Sequence, residues 1–448
     1  MARRFRYELS GSLLLLFCVA TFAQPADPYL GVWRSNGYAE ILEIVTGRFR
    51  VFSETTSSLV LKQEGKRSGN LLYFDVEPET GVLVVADGSL NLWRNEFSVG
   101  RSYSRAKDRP LTPTANAERA LNLRVVWEAF NENYPFFALR GVDWKRQFEI
   151  ARRRLRPAMT DDEFFTLVSD MLTSLGNDGH VWMRRPDGKR FSGASVNPHP
   201  LRELRGRWQE LIDKKYLSGN ARVHSNRRIF FGRLPNGIAY LGLRGVEGFS
   251  ESRDVRENIA AFNMALNTIF SELRPNEPLV LDLRMNPGGY DDFSLLIAGR
   301  LTDRPKVAFF KQARIQGTDR FEPLNVRNVF PSPGPNLTGP VYLLTSGLTY
   351  SGAEIFVMAT MSFPNVTRIG ENTAGALSDV LQFKLPNGWE IGLSNERYFA
   401  SDGEMYERRG IPPHVESKMT VKTLEAGIDP GLETAMRLAA EGKTRPHE

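Results

Sequence analysis

Hydrophobic and polar positions alternate along the first part of the chain, from about residue 28 to 105. The alternation is carried by five short runs, AEILEIV, RFRVFSE, LLYFDVE, GVLVVAD and LNLWRNEFSVG, which Gly, Asn and Ser turns separate. A period of two between turn residues predicts half-buried strands. We therefore predict a small antiparallel barrel or sandwich over residues 24–108, followed by a proline-bearing linker.

The apolar period changes to helical spacing after Thr114. Leu121, Val125 and Phe130 recur at helical intervals, and the segments DWKRQFEIARRRL and TDDEFFTLVSDMLTSLG continue the pattern. The second of these begins with a capping threonine and acids in its first turn. The pattern predicts a small helical bundle within residues 114–190, a region that also carries His180.

From about residue 228 the chain alternates strands with helices. Two runs, EPLVLDLR and GPVYLLTS, are apolar at nearly every position, as expected of strands covered on both faces. The long run SRDVRENIAAFNMALNTIFSEL has helical spacing. The sequence therefore predicts an α/β domain over residues 228–430, with residues 191–227 as an insert or linker and 431–448 as a C-terminal helix and tail.

The N-terminus has the pattern of a secretory signal peptide. Three arginines within the first six residues precede the apolar run GSLLLLFCVATFA, and Ala23 ends a plausible cleavage site. The chain's one cysteine, Cys18, lies in this segment. We therefore predict a signal peptide over residues 1–23, and a mature protein without disulfides or a stable membrane span. A bacterial periplasm or an extracellular space fits this prediction.

Composition and charge exclude few classes of binding partner. Charged residues make up 25% of the 448 residues, and the net charge is +6. Basic residues are interspersed with acids, and the densest basic run, KRQFEIARRRLR, has the pattern of a solvated helix face. The sequence therefore predicts no nucleic-acid partner. It contains no heptad run, and the oligomeric state stays open.

Ser351 lies where the predicted strand GPVYLLTS gives way to the predicted helix SGAEIFVMATM. Ser351 and Glu354 have the S-x-x-E spacing of a capping box, so a structural cap is one interpretation. A serine at a helix N-terminus can also be a nucleophile, because the helix dipole and the following amide, that of Gly352, stabilise a developing oxyanion. The second interpretation requires a base beside the hydroxyl.

The segment LDLRMNPGGYDD places two glycines after a buried strand. Gly288 and Gly289 permit a sharp turn with unobstructed amides. A plain turn, a phosphate cradle and an oxyanion-donor loop are the three interpretations. No G-K-S/T or G-x-G-x-x-G pattern accompanies the glycines, which disfavours the phosphate cradle.

Two further segments hold candidate acid and base groups. His180, in SLGNDGHVWMRR, follows a turn, and its ordinary pKa suits a base near neutrality, although a lone histidine is more often structural. Glu407, in DGEMYERRGIPPHV, is by itself best interpreted as a surface acid paired with Arg408 or Arg409. No H-x-x-x-H or H-E-x-x-H pattern exists, so the sequence predicts no metal site and no cofactor.

Together these segments resemble the tail-specific, or carboxyl-terminal-processing, serine peptidases, above all the branch of the tricorn core and the interphotoreceptor retinoid-binding protein. The resemblance covers about residues 115–425, through NENYPFFALRGVDW, LTSLGNDGHV, LVLDLRMNPGG, LTSGLTYSGAEIF, IGENTAGAL and YERRGIPPHV. It implies that the α/β domain is a catalytic domain of ββα units, of the Clp-protease and crotonase type. It also implies cleavage of peptide bonds through a serine.

The resemblance assigns roles to matching positions. The family's nucleophile falls on Ser351, its base on His180 and its acid on Glu407. The oxyanion amides fall on Gly352 and on one of two adjacent glycines, Gly288 and Gly289.

Three positions depart from the family pattern. Ala376 stands where the processing branch has a catalytic lysine, so a Ser–Lys dyad is absent and the base role passes to His180. Gly179 replaces a serine that precedes the histidine in the tricorn-like branch, and His414 replaces an acid in the last motif. No segment has the pattern of a PDZ domain.

The sequence thus predicts an exported serine peptidase that acts on peptides or unfolded proteins. Two alternatives remain open. One is a non-catalytic ligand-binding member of the same fold, in which Ser351 only caps a helix. The other is an ester or acyl hydrolase that uses the same serine.

Overall fold

The computed structural model describes residues 27–75, 80–93, 100–106, 114–116, 118–196 and 198–442. The predicted signal peptide, most of the predicted linker and residues 443–448 lie outside the described residues.

An antiparallel barrel forms the N-terminal part of the described chain. Its eight strands follow one another around the barrel in sequence order, and the first pairs with the last. Alternate side chains, among them Trp33, Leu42, Leu72 and Tyr103, fill the interior. Pairing of the first and last strands makes this unit a barrel and not a sandwich. The strands are β1 (Gly31–Ser35), β2 (Glu40–Val45), β3 (Arg48–Thr55), β4 (Ser58–Ser68), β5 (Leu71–Phe74), β6 (Thr80–Ala86), β7 (Ser89–Trp93) and β8 (Arg101–Arg105).

Four helices follow the barrel. They are α1 (Arg119–Asn133), α2 (Phe137–Arg140), α3 (Trp144–Arg154) and α4 (Asp161–Thr173). Thr160 and Glu163 form a capping box at the start of α4, as the threonine-acid pattern predicts. Phe130, Tyr134 and Trp144 belong to the buried cluster that joins these helices.

A mixed α/β unit forms the rest of the chain and confirms the predicted fold class. Its strands are β9 (Trp182–Arg184), β10 (Arg190–Ser192), β11 (Arg222–His224), β12 (Ile229–Arg233), β13 (Ala239–Leu243), β14 (Leu279–Asp282), β15 (Lys306–Ala313), β16 (Asn325–Val329), β17 (Val341–Thr345), β18 (Val366–Gly370), β19 (Val380–Lys384), β20 (Glu390–Ser394), β21 (Glu396–Ala400) and β22 (Val415–Glu416). Its helices are α5 (Arg205–Leu211), α6 (Val255–Phe270), α7 (Asp291–Ala298), α8 (Gly352–Ala359), α9 (Val421–Glu425) and α10 (Pro430–Ala440). A π-helical turn, Ile212–Tyr216, continues α5.

The main sheet brings two loops together. Its strand order is β11-β12-β13-β14-β17-β18-β22, and the pairs from β13 onward are parallel. Adjacent parallel strands end at the same edge of a sheet. The glycine loop after β14 therefore lies beside the Ser351 turn after β17. Two smaller sheets, β10-β9-β20-β19 and β16-β15-β21, complete the unit.

A buried ion-pair network fixes the carboxyl end of β14. The Arg284 guanidinium donates to Asp282 Oδ2 (2.8 Å) and to Asp429 Oδ1 (2.6 Å), and all three side chains are buried. The Trp208 indole, from the predicted insert, donates to Asp429 Oδ2 (2.9 Å). Because Arg284 lies just before the glycine loop, this network holds the start of the loop in place.

Candidate active site

Ser351 lies in the turn between β17 and α8 with a strained backbone. Its φ is 51° and its ψ is −125°, whereas an N-cap serine normally has an extended backbone with negative φ. Such a conformation costs a non-glycine residue about 1–3 kcal/mol and persists only where the surrounding structure imposes it. The Thr349 hydroxyl donates to the Leu283 carbonyl (3.0 Å) and the Tyr350 amide donates to the Asn286 carbonyl (3.0 Å). A plain helix cap does not need this conformation, so it favours the nucleophile interpretation.

His180 meets Ser351 although 171 sequence positions separate them. His180 Nε2 lies 3.0 Å from Ser351 Oγ, and Asp178 Oδ1 accepts the backbone amide of His180 (3.1 Å). Burial lowers the pKa of His180, and the negative charges of Asp178 and Asp379 act in the opposite direction. The imidazole is therefore neutral near pH 7 and can accept the hydroxyl proton.

The glycine loop packs directly against the Ser351 turn. A Cβ on Gly288 would lie 2.7 Å from Ser351 Cβ and 2.8 Å from the Gly352 amide nitrogen. The Gly288 amide already donates to Asn286 Oδ1 (2.9 Å), while no described residue accepts the amide of Gly289 or of Gly352. Of the two adjacent glycines, Gly289 is thus the one with an amide free to join that of Gly352 in binding an oxyanion.

Glu407 does not touch the imidazole that it was predicted to orient. Within the described residues His180 Nδ1 has no hydrogen-bond partner. Glu407 Oε2 instead accepts the amides of Leu377 (2.9 Å) and Ser378 (3.1 Å), and Oε1 lies 3.4 Å from Arg140 Nη2. Burial raises the pKa of Glu407 to about 8. The surface-acid interpretation is wrong as well, because the side chain is only 3% exposed.

A buried network connects Glu407 to the turn that carries His180. Arg140 Nη2 lies 3.2 Å from Asp178 Oδ2 and shares its charge between Asp178 and Glu407. The Tyr134 hydroxyl also donates to Asp178 Oδ2 (2.6 Å). The sequence reasoning missed these residues. The D-x-H spacing was an available signal for Asp178. Tyr134 and Arg140 lie in the family-like segment NENYPFFALRGVDW, but nothing in that segment marks them as partners of Asp178.

Glu354 fastens the Ser351 turn to the neighbouring loop. Its carboxylate accepts the amides of Ser351 (3.2 Å), Gly375 (2.7 Å) and Ala376 (2.8 Å), and the hydroxyl of Thr373 (2.6 Å). Burial raises the pKa of Glu354 to about 7, although these donors act in the opposite direction. Glu354 thus serves the capping role that the S-x-x-E spacing predicts, while the Ser351 hydroxyl faces His180.

The described residues contain no candidate metal site and no candidate membrane span. No group of three or more His, Cys, Asp or Glu side chains among them could hold a metal ion. In the same part of the chain, no helix is both long enough and apolar enough to cross a membrane.

Comparison with known sequences matches two regions of the chain. Residues 238–417 match the model of peptidase family S41, and residues 115–173 match the model of the tricorn protease C1 domain. Carboxy-terminal processing protease CtpA of Bacillus subtilis (strain 168) is 26% identical over 140 residues. This match spans 31% of the present chain and 28% of CtpA, well under two thirds of that relative's length.

Comparison with solved structures shows a shared fold. A candidate peptidase from Parabacteroides merdae ATCC 43184 is 24% identical with a TM-score of 0.60, over 72% of this chain and 97% of that one. Mature CPAF complexed with lactacystin is 11% identical with a TM-score of 0.52, over 72% and 97%. Identities this low establish the fold alone.

The family S41 model matches the part of the α/β unit that holds Ser351 and Glu407, and the tricorn C1 model matches the segment that holds α1 to α4. His180 lies between the two matched regions, in the turn that leads from α4 to β9. Residues 238–417 therefore form a domain of peptidase family S41, the family of the tail-specific or carboxyl-terminal-processing peptidases.

Proposed function

We propose that this protein is a serine peptidase in which Ser351 attacks the scissile carbonyl carbon and His180 accepts the hydroxyl proton. The observation that carries the proposal is the 3.0 Å separation of Ser351 Oγ and His180 Nε2. The strained Ser351 backbone supports it, since strain of this kind clusters at functional sites. Family membership supports peptide bonds as the target.

The neighbouring backbone amides and His180 can carry out the remaining steps of peptide hydrolysis. The tetrahedral oxyanion accepts hydrogen bonds from the Gly289 and Gly352 amides, the second of which opens α8 and so lies at the positive end of the helix dipole. His180 then gives its proton to the leaving amine and afterwards activates the water that hydrolyses the acyl-enzyme. Loss of one oxyanion donor typically lowers turnover by about a hundred- to a thousandfold.

Glu407 acts at a distance in this proposal. Its carboxylate holds Arg140, and Arg140 holds Asp178, which accepts the His180 amide. Glu407 is therefore a positioning residue and does not contact the reacting atoms.

The substrates we propose are peptides or unfolded proteins met outside the cytoplasm. The arginine-led apolar segment at the N-terminus and the lack of cysteine after Cys18 support export, with a bacterial periplasm as the compartment. A mature chain that begins at Gln24 in an exporting host, read from its intact mass, is the expected result. A retained N-terminal segment contradicts export by cleavage.

A fluorophosphonate probe tests the proposal against its two alternatives. We expect covalent labelling at Ser351, located by tandem mass spectrometry, because an activated serine attacks the probe's phosphorus. His180→Gln serves as the matched control and should abolish labelling. A protein that stays unlabelled while binding apolar ligands is instead the non-catalytic member of the fold. Labelling accompanied by turnover of esters but of no peptide points to an ester or acyl hydrolase.

The pH dependence of kcat/KM follows from the state of His180. Its pKa lies below the ordinary value of about 6.5 because the ring is buried. Only the neutral ring accepts a proton, so we expect His180 to produce a fall in kcat/KM as the pH drops below 6.5. The measurement is initial rates on a fluorogenic peptide between pH 4.5 and 8, a range chosen to span about two units on the acidic side of the ordinary histidine pKa.

Asp379→Asn is the matched variant for this profile. The Asp379 carboxylate is exposed and raises the pKa of His180. Removing its charge should shift the acidic limb to lower pH without changing the plateau. An acidic limb above pH 6.5 in the parent protein contradicts the assignment of His180 as a buried neutral base.

A further inference from the structure

Tyr350, which precedes the proposed nucleophile, carries a buried hydroxyl without a partner. No described residue hydrogen-bonds to Tyr350 Oη. Buried polar groups nearly always have a partner, so an isolated one requires an explanation. Burial raises the pKa of Tyr350 far above its ordinary value, and the hydroxyl therefore keeps its proton throughout the neutral range.

Gly179 makes room for this hydroxyl. A Cβ at position 179 would lie 1.1 Å from Tyr350 Oη, so no larger residue fits while Tyr350 keeps its place. Gly179 does not have a positive φ, and its backbone therefore does not itself require glycine. The hydroxyl of Tyr350 thus occupies the space that a side chain at position 179, next to His180, would fill.

His180 likewise has a buried polar atom without a hydrogen-bond partner in the described part of the chain. Its Nε2 faces Ser351 Oγ, while its Nδ1 is buried and has no partner among the described residues. Nδ1 must carry the hydrogen when Nε2 accepts a proton, and the resulting imidazolium is stabilised by an acceptor at Nδ1. The Tyr350 ring stands edge-on to the imidazole, with centroids 5.6 Å apart and planes at 76°. The unpaired donor and the unpaired hydroxyl are therefore on contacting side chains.

The charges around the hydroxyl set its orientation. Besides burial, the carboxylates of Asp178, Glu354 and Glu407 raise the pKa of Tyr350, and only Arg140 lowers it. Negative charge near a hydroxyl favours orientations that point its hydrogen toward that charge. Its oxygen lone pair is then left to accept a hydrogen bond from another donor.

We propose that Tyr350 is the positioning residue for His180. Its Oη accepts a hydrogen bond from Nδ1–H when the ring becomes an imidazolium, after a small approach of two side chains whose Oη and Nδ1 atoms have no partner among the described residues, and the hydroxyl hydrogen points toward the Asp178 carboxylate. The proposal rests on the proposed function, because it concerns the base of that reaction. Only hydrogen bonds are involved, and no proton leaves Tyr350.

Tyr350→Phe tests the proposal directly. Loss of one hydrogen bond to a charged group predicts a fall in kcat of about ten- to a hundredfold, with KM unchanged. The imidazolium loses its acceptor, so the acidic limb of kcat/KM should move to lower pH even though Asp178 and Asp379 still act on the ring. Nitrogen-15 NMR of the five histidines gives the His180 pKa independently and should show the same shift. Tyr103→Phe, which removes a buried barrel hydroxyl that donates to Glu40, is the control and should leave kcat unchanged.

Position 179 supplies a second and independent pair of variants. Gly179→Ala must displace the hydroxyl and should reproduce the kinetic effect of Tyr350→Phe, which keeps the test decisive if Tyr350→Phe does not fold. Tyr350→Ala should be inactive or nearly so, and adding Gly179→Ser should restore part of kcat by returning a hydroxyl to the same place.

Either an unchanged kcat and pH profile in Tyr350→Phe, or a lower kcat with an unmoved His180 pKa and no rescue, overturns the proposal. If the parent protein neither hydrolyses peptides nor reacts with the fluorophosphonate, the proposed function itself has failed.

Discussion

Replacing Ser351 with alanine is expected to lower peptide turnover by about 10⁵- to 10⁶-fold while the fold stays intact. The hydroxyl is the only group that we propose to form a bond with the substrate, and His180 alone offers no substitute nucleophile. The residual rate should come from substrate binding and the amides of Gly289 and Gly352. The measurement is kcat/KM on a fluorogenic peptide, with a thermal melt to show that the variant folds. Turnover within tenfold of the parent contradicts the assignment of Ser351.

Ser351→Gly is the matched companion of this variant. It should be equally inactive, yet more stable than Ser351→Ala. Glycine accepts φ near 50° without strain, whereas alanine keeps the strain of about 1–3 kcal/mol that serine bears. Glycine's greater freedom in the unfolded chain offsets about 0.5–1 kcal/mol of this gain. A glycine variant that unfolds at lower urea concentration than the alanine variant argues against a strained nucleophile turn.

Asp178→Ala should destabilise the protein by about 3–5 kcal/mol, the usual cost of breaking a buried ion pair from one side. Arg140 then keeps the longer 3.4 Å contact with Glu407 and its bond to the Leu175 carbonyl, and the Tyr134 hydroxyl and the His180 amide lose their Asp178 acceptor. Turnover should fall as well, because the turn that carries the base is no longer fixed. Urea unfolding followed by fluorescence measures the first effect and peptide hydrolysis the second.

Two asparagine variants serve as comparisons for this prediction. Asp178→Asn keeps an amide oxygen as an acceptor and should lie between the parent and Asp178→Ala. Asp379→Asn alters an exposed carboxylate and should change stability by no more than about 0.5 kcal/mol. Parent-like stability in Asp178→Ala means that the buried network does not support the site.

The fold was predictable because its signals are local. The period-two runs of the first part became the barrel, and the helical spacing after Thr114 became the four-helix segment. The all-apolar runs became β14 and β17, which lie in the centre of the main sheet. The choice of a barrel over a sandwich was not predictable, since it depends on β1 pairing with β8 at the far end of the unit.

The candidate site was predictable only in part. Ser351 and His180 were identified from their segments and from the family resemblance, and the 3.0 Å contact agrees with that prediction. The sequence did not show that Glu407 is buried, that it holds Arg140 or that it leaves His180 Nδ1 without a contact. Nor did it show which adjacent glycine keeps a free amide, because the answer depends on the Asn286 side chain.

By itself the sequence determined the order of elements, the strand–turn–helix setting of Ser351 and the residue types available for acid–base work, because each depends on near neighbours along the chain. The tertiary structure alone decided which of those groups meet. Asp178, Arg140, Tyr350 and Glu407 come from separate segments, and their contacts arise only when the helical bundle packs against the α/β unit. Burial then raises the pKa values of Tyr350 and Glu407. Burial is a property of the folded chain that no short segment determines.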